Sequence, residues 1–325
     1  AGFETKLFNN RVGFDLAYYY KLTEDQILAA QVSDASSYTN KLINVGRSMN
    51  KGLEMLLTVT PVRKQDFTWD VNFNISYNTS KVLKLGLTEK DTVITAGGGS
   101  GRILNQVVGK PIGQLYTYYY LRDAQGRQVF DKASGLALRN EVLQNVGSAL
   151  PKYFGGITNS FNYKGIMVSA LIDFKLGHKI IAGQNQNYLR HGLHKKTLVG
   201  REEGYVIGEG VNPDGEINQT RALVQPFYER PNVIGVHEDM IFHAGHWKLR
   251  QITAGYDFTK LLPQNFFVKG LRLNFVANNV AVLKKWTENM DPEMVFNSSD
   301  SAAGLDFWPS LPLTRSMGFN LNAKF

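Results

Sequence analysis

Residues 67–78, FTWDVNFNISYN, constrain the fold more than any other stretch. Phe67, Trp69, Val71, Phe73, Ile75 and Tyr77 alternate without error with Thr68, Asp70, Asn72, Asn74, Ser76 and Asn78. Successive side chains of a strand point to opposite faces, so this segment has one large apolar face and one face of carboxylate, amide and hydroxyl groups. Two environments satisfy such a strand. In a soluble sandwich the apolar face meets a second sheet; in an outer-membrane barrel it meets lipid while the polar face lines a lumen. The twelve residues exceed the usual strand of about 5 to 6 and suit the roughly 9 to 11 needed to cross a bilayer at a tilt. The pattern alone leaves both environments open.

Reading along the chain shifts the balance. Residues 1–9 end a strand closed by a turn at Asn9 and Asn10. Residues 11–20 return, with Val12, Phe14, Leu16, Tyr18 and Tyr20 on one face and a run of three tyrosines at the end, as in an interfacial aromatic girdle. A polar connection is expected over residues 23–41, then a strand through Leu53, Met55, Leu57 and Val59, then a short turn into residues 67–78. A long connection over residues 81–151 holds Gly97 to Gly101 and an aromatic hairpin over residues 116–130, turned at Asp123-Ala124-Gln125-Gly126. Residues 155–163 and 166–174 form a hairpin across Lys164-Gly165. A connection of about seventy residues, 177–245, precedes strands at 246–258 and 270–279, and residues 280–312 lead to a last strand at 313–325. About nine membrane-length strands result, with short turns at one end and long loops at the other. That asymmetry characterises bacterial outer-membrane barrels, and soluble domains seldom carry several structureless loops of this length.

Composition removes other classes. Cysteine is absent, which excludes a disulfide framework, thiolate metal sites and a cysteine nucleophile. The formal charge of +8 is spread over scattered Lys and Arg residues, so nucleic acid is not an expected partner. No apolar run reaches the roughly 18 residues of a membrane-spanning helix. Gly97 to Gly101 with Arg102 lacks the Lys-Ser/Thr pair of a phosphate loop. His237, His243 and His246, and His191 with His194, have ligand-like spacing but no convincing carboxylate pattern. Asp291-Pro292-Glu293 is either a loop turn or part of a Ca²⁺ site, the turn being the expected form. No cofactor is expected beyond that calcium possibility. No acid–base pair or nucleophile elbow supports an enzyme.

The C-terminus carries a further signal. Met317, Phe319, Leu321, Ala323 and Phe325 alternate with polar residues or glycine, and the chain stops on phenylalanine. Phe319, Leu321, Ala323 and Phe325 are therefore read as the signal that outer-membrane barrel assembly recognises.

Together these stretches resemble the C-terminal part of a SusC/RagA-type TonB-dependent transporter, the nutrient importers of Bacteroidetes. The matching segments are ETKLFNNR at 4–11 with the tyrosine strand after it, NKGLE at 50–54, PKYFGG at 151–156, FNYK at 161–164, EGY at 203–205, WKLRQI at 247–252, ANN at 277–279, Asp291-Pro292-Glu293 and the terminal strand. The resemblance implies an all-β transmembrane antiparallel β-barrel, of which residues 1–325 form the C-terminal portion. The whole barrel has about 22 strands around a plugged lumen. It implies that the plug and the N-terminal strands lie outside this sequence. An odd strand count cannot close a single-chain bacterial barrel, so the first edge is expected to pair with another segment.

The implied function is TonB-energised import of an oligosaccharide or peptide across the outer membrane of a Gram-negative bacterium. The implied partners are a SusD-like surface lipoprotein, the TonB complex acting through the N-terminal part, the rest of the barrel with its plug, and the lipid bilayer. Two rival readings are a non-transporting outer-membrane barrel or adhesin, and a secreted β-sandwich binding module. Candidate substrate contacts are the loop aromatics Tyr118, Tyr120, Trp286, Phe307 and Trp308, whose faces can stack on a sugar ring or a peptide side chain. Alternation assigns Asp70, Asn72, Asn74, Arg272, Asn274, Asn278, Asn320 and Asn322 to the lumen.

Overall fold

The computed structural model describes residues 1–31, 40–86, 88–90, 92–263, 266–294, 303–305 and 313–325. Its framework is one antiparallel sheet of nine strands: β1 (Gly2–Leu7), β2 (Val12–Gln31), β3 (Asn40–Arg63), β4 (Phe67–Lys84), β9 (Tyr153–Tyr163), β10 (Ile166–Leu176), β15 (His246–Asp257), β16 (Gly270–Lys285) and β17 (Ser316–Lys324). Strands next to one another in this series are next to one another in space. The sheet is open, with β1 and β17 as its edges. Between β4 and β9 stands a four-stranded sheet of β5 (Val93–Gly99), β6 (Arg102–Val107), β7 (Gln114–Thr117) and β8 (Gln144–Ser148). Between β10 and β15 lie β11 (Lys179–Ile181) paired with β14 (Ile241–His243), β12 (Tyr205–Ile207) paired with β13 (Arg221–Leu223), and helices α1 (Gly183–Arg190) and α2 (Val224–Val233).

The turn chemistry at one end explains the tight hairpins. Phe8, Asn9 and Asn10 all take positive φ, which asparagine tolerates. Lys164 and Gly165, at φ 48 and 93, have the two left-handed centres of a type I′ turn, whose twist suits the flanking strands.

Two expectations need correction. Residues 23–41, read as a connection, are largely strand: β2 continues to Gln31 and β3 begins at Asn40, with Thr23 opposite Ser48 and Ile27 opposite Asn44 across bulges. Ser48 Oγ donates to Gln26 Oε1 at 3.0 Å, and Arg47 pairs with Glu24 at 2.9 Å. β2, β3 and β4 have 20, 24 and 18 residues, against the roughly 9 to 11 that cross a bilayer. No strict period-two alternation of apolar and polar residues marks residues 23–41, so the stretch reads as a loop. The long connections are likewise not structureless. The proposed aromatic hairpin at 116–130 is strand only through Thr117; beyond it the chain is held by single bridges, including Arg122 with Gln128 around the expected Asp123 to Gly126 turn.

Burial divides the molecule in two. Among the described residues, the nine wall strands contribute only Val82, Phe174 and Ala277 to the buried hydrophobic set. The remaining core lies in the loops. Leu104 and Leu115 from the β4–β9 connection, Ile180 and Met240 from the β10–β15 connection, and Met290 and Leu305 from the β16–β17 connection pack into one cluster. The apolar face of β4 has no second sheet over it, its extensive contacts being in plane with β3 and β9. That face continues across the sheet in cross-strand aromatic pairs: Trp69 on Phe161 at 5.8 Å, Phe174 on Trp247 at 4.5 Å and Phe275 on Phe319 at 5.5 Å. Phe174 is already buried within the protein; leaving the other rings of this face in water would forgo about 1.5–3 kcal/mol each, so the surface belongs against lipid. Its one mid-strand amide, Asn159, accepts the Trp69 indole N–H at 3.3 Å, which lowers the cost of a polar group there. No described helix is long and apolar enough to cross a membrane.

Gly52, in the NKGLE stretch, shows why one wall position must lack a side chain. Tyr19 lies directly across from it, and a Cβ there would meet the Tyr19 hydroxyl at 2.6 Å, its ring at 2.7 Å and the Tyr77 carbonyl oxygen. Gly52→Val is expected to destabilise the folded protein by roughly 1–3 kcal/mol, while Gly318→Ala on β17, with open space around it, should be neutral. Heat-modifiable mobility on gels reads the difference, and equal behaviour of the two variants contradicts the packing argument.

Candidate functional site

The most highly charged interior lies where the long loops meet the wall. Strand register places Asp173 opposite Lys248 and Lys175 opposite His246, all on the polar face. A bulge between Leu249 and Gln251 lets both Arg250 and Gln251 reach that face, where Arg250 meets Asp173 and Gln251 donates to Asn278 at 2.9 Å. The β16–β17 connection then lowers Asp291 and Glu293 onto these cations. Glu293 accepts from Lys175 Nζ at 3.0 Å, Lys248 Nζ at 2.7 Å and Arg250 Nη2 at 2.8 Å, with His246 Nε2 at 3.5 Å. Lys248 also reaches both Asp291 oxygens, at 2.6 and 2.9 Å. Arg250 binds Asp173 at 2.6 and 2.8 Å and Asn279 Oδ1 at 2.8 Å.

The electrostatics follow from burial and pairing. Burial alone would raise the Glu293 carboxyl, but the hydrogen bonds from Lys248, Arg250 and Lys175, with the His246 ring close by, outweigh it and hold the group far below the usual carboxylate range. His178, beside this cluster, is pushed down to about 4 by burial, with help from the nearby His246 and Lys175. His237 is also lowered to about 4 by burial, although its Nε2 lies 2.7 Å from the Ser100 carbonyl. With their oxygens turned to lysine and arginine, Asp291 and Glu293 form a carboxylate–cation latch. The other histidines are dispersed. His194 accepts the Lys196 N–H, and His243 lies 3.1 Å from Lys179 Nζ. No group of three candidate metal ligands occurs among the described residues.

The sequence-selected residues fall into three places. Asp70, Asn72, Asn74, Arg272, Asn274, Asn278, Asn320 and Asn322 share the polar face of the sheet: Asn72 faces Thr58 and Thr158, Asn274 faces Gly255 and Asn320, and Arg272 faces Asp257 and Asn322. Phe319, Leu321 and Ala323 share the apolar face of β17 opposite Phe275, Leu273 and Leu271, and Phe325 stacks on Phe267 at 6.1 Å.

The loop aromatics are divided. Tyr118 is half-buried under the Arg139 guanidinium at 4.3 Å. Tyr120 is buried with Phe130 and Val236, its hydroxyl donating to Asp239 at 3.0 Å, so its ring serves packing. Burial, and then Asp239, pushes its phenol far above the ordinary value. Trp286 is 46% exposed, with the Lys284 ammonium 5.6 Å from its ring. Phe307 and Trp308 lie outside the described residues. Sequence reading passed over Lys175, Lys248 and Arg250. Their signal was charge repeating at every second residue, Asp173-Lys175 and His246-Lys248-Arg250, on strands whose other face is apolar.

Comparison with known proteins places this geometry. No family model matches the sequence. The chain is 24% identical over 379 residues to TonB-dependent receptor P39 of Formosa agariphila, covering 100% of this chain and 35% of that protein. It is 24% identical over 355 residues to TonB-dependent receptor P3 of the same organism, covering 100% and 33%. It is 21% identical over 340 residues to TonB-dependent receptor SusC of Bacteroides thetaiotaomicron, covering 99% and 31%. The chain thus spans about a third of the length of these curated relatives. Among solved structures, the RagAB peptide transporter superposes with a TM-score of 0.70 at 18% identity over 100% of this chain and 34% of its own. The RagAB peptide importer in its closed-closed state gives 0.71 at 16% identity, over 100% and 35%.

The latch and the buried histidines make separable predictions. Glu293→Ala strips a shared carboxylate from three cations, and breaking a buried pair of this kind costs about 3–5 kcal/mol. The expected outcome is faster proteolysis around residues 286–294 in the folded protein; an unchanged cleavage rate would show that this part of the loop is held by other contacts. His178 and His237 are neutral when folded and take up protons more readily when unfolded. Their contribution is therefore fully present above about pH 6.5 and falls as pH drops towards about 4. Thermal unfolding measured across that window should show a shallower pH dependence in His178→Gln than in the unsubstituted protein; an unchanged slope would contradict the burial argument.

Proposed function

We propose that this chain, which belongs to the SusC/RagA-type TonB-dependent receptors and forms a C-terminal part of their barrel, works in energised import of a nutrient across the outer membrane. The observation that carries this reading is the open nine-stranded sheet with an uncovered apolar face, matched along its whole length to receptors of that class. A sheet with two unpaired edges in hydrocarbon leaves backbone groups unsatisfied at several kcal/mol each. Strands from the rest of the receptor supply the missing partners and close the barrel around a plug.

In this reading a SusD-like surface lipoprotein caps the loop end. An oligosaccharide or peptide is held between that lid and the plug, and TonB draws on the plug from the periplasm. The chain's own residues supply the vestibule. The amides of Asn72, Asn74, Asn274 and Asn278 keep the wall wet, Tyr118 and Trp286 offer ring surface in the loops, and the Glu293 latch fixes one long loop against the wall. The related proteins are receptors and transporters, and no catalytic arrangement is proposed.

The test is the composition of the complex that carries this chain when membranes are extracted in detergent, followed by uptake. The expected result is a single assembly with barrel, plug and surface lipoprotein, and loss of uptake of one glycan or peptide class when the receptor gene is deleted. A detergent-independent monomer of 36.4 kDa would sink the proposal.

A further inference from the structure

The loop body carries a cleft that the import reading leaves unassigned. Its volume is 550 Å³, and it lies between the end of the Asp123 to Gly126 turn, in the β7–β8 connection, and residues 207–218 of the β10–β15 connection. That is within the roughly 300–1,000 Å³ typical of ligand sites. The two walls are joined by backbone: the Val211 N–H donates to the Gln128 carbonyl at 2.9 Å, and the Phe130 N–H to the Val211 carbonyl at 2.8 Å. Two glycines permit that close approach. A Cβ at Gly208 would run into the Phe130 ring, and one at Gly210 into the Gln128 carbonyl oxygen. The backbone between them is left bare, and the N–H groups of Glu209 and Gly210 find no protein acceptor among the described residues.

Charge in the cleft is unbalanced. Arg122 and Arg127 line one wall, but Arg122 is held by Glu238 at 2.9 Å and Arg127 by Asp123 at 2.7 Å. Glu209, on the other wall, is exposed and makes no ion pair among the described residues. One carboxylate is therefore left uncompensated, and the fitting occupant supplies a cation. Ile207 and Ile217 are also exposed in the lining, where apolar groups of a ligand can cover them. No described lining residue is aromatic. A neutral sugar, whose ring would stack on an aromatic face, has nothing to set against Glu209 or the isoleucines. A peptide has a match for each group: an amine or basic side chain for the carboxylate, backbone carbonyls for the bare N–H groups, and apolar side chains for the isoleucines.

We infer that this cleft is a binding site for a short basic peptide with apolar side chains, its cation on the Glu209 carboxylate and a backbone carbonyl on the Glu209 and Gly210 N–H groups. The inference rests on the import reading above and chooses the substrate class within it. An exposed ion pair is individually weak and screened by salt, so binding at this site is modest and falls as salt is added. That suits a vestibule, which has to release what it collects.

Calorimetric titration of the whole receptor in detergent tests it. The probes are end-capped peptides of alanine and isoleucine bearing one central lysine, one central glutamate or neither, and a neutral maltooligosaccharide. The lysine peptide should bind tightest. Glu209→Gln should weaken it about fivefold, equivalent to ~1 kcal/mol, and Glu209→Lys should turn the preference to the glutamate peptide. Both variants should keep the heat-modifiable mobility of a folded barrel, because the Glu209 side chain is exposed. A reversed preference is a readout that a merely structural role would not produce. Equal binding of the lysine and glutamate peptides overturns the inference, as does lysine-peptide binding that Glu209→Gln leaves unchanged. So does an oligosaccharide that binds and is lost in Glu209→Gln, or a surface lipoprotein that dissociates in that variant while peptide binding stays the same. Failure of the lysine peptide to bind a receptor that still supports uptake removes this inference alone, whereas cells whose uptake of every nutrient is unaffected by deleting the receptor gene remove the import reading as well.

Discussion

Everything in this structure depends on pairing backbone N–H and C=O groups where water cannot reach them. In hydrocarbon an unpaired peptide group has no alternative partner, so a chain that crosses with strands must place each one against a neighbour on both sides. Seven of the nine strands meet that requirement within the sheet, and β1 and β17 meet it on one side only. Sequential neighbours in an antiparallel sheet require only short turns at one end, and these occur at Phe8 to Asn10 and at Lys164-Gly165. The other end is free to carry large insertions, because a loop outside the bilayer can satisfy its backbone in any way that a soluble protein can.

That freedom gives the molecule two kinds of stability. Among the described residues the wall has few buried hydrophobic side chains of its own, and its apolar face is completed by lipid. The loop body has a conventional dry core, to which three connections far apart in sequence contribute Leu115, Ile180 and Leu305. Between the two sits the ionic latch, with Lys248 at 3% exposure held by Asp291 and Glu293. A latch of this kind adds little net stability against a hydrophobic equivalent, because desolvating the charges offsets their attraction. It does fix geometry, since a bidentate or shared carboxylate tolerates only one placement of the loop that bears it. The loop carrying Trp286 is thereby tied to the polar face of β10 and β15.

The sequence by itself determined the wall. Period-two alternation at residues 67–78 and in the last strand, with asparagine and glycine at the tight turns, defined the strands, the two faces and the short-turn end. The eight residues assigned to the polar face share it in the structure, because alternation is a local property of extended backbone. What only the tertiary structure decided is whatever depends on partners remote in sequence. β2 and β3 continue past Thr23 because each is the other's neighbour, and no alternating pattern in residues 23–41 marks that locally. Tyr120 is buried because Phe130, Val236 and Asp239 converge on it from two connections, which its aromatic neighbours in sequence do not reveal. Asp291 and Glu293, readable alone as a turn or a cation ligand, became anionic partners when β10 and β15 brought Lys175, Lys248 and Arg250 beneath them. Backbone periodicity is written locally; burial and charge pairing are set by long-range contacts, and the chain acquires those only when it folds.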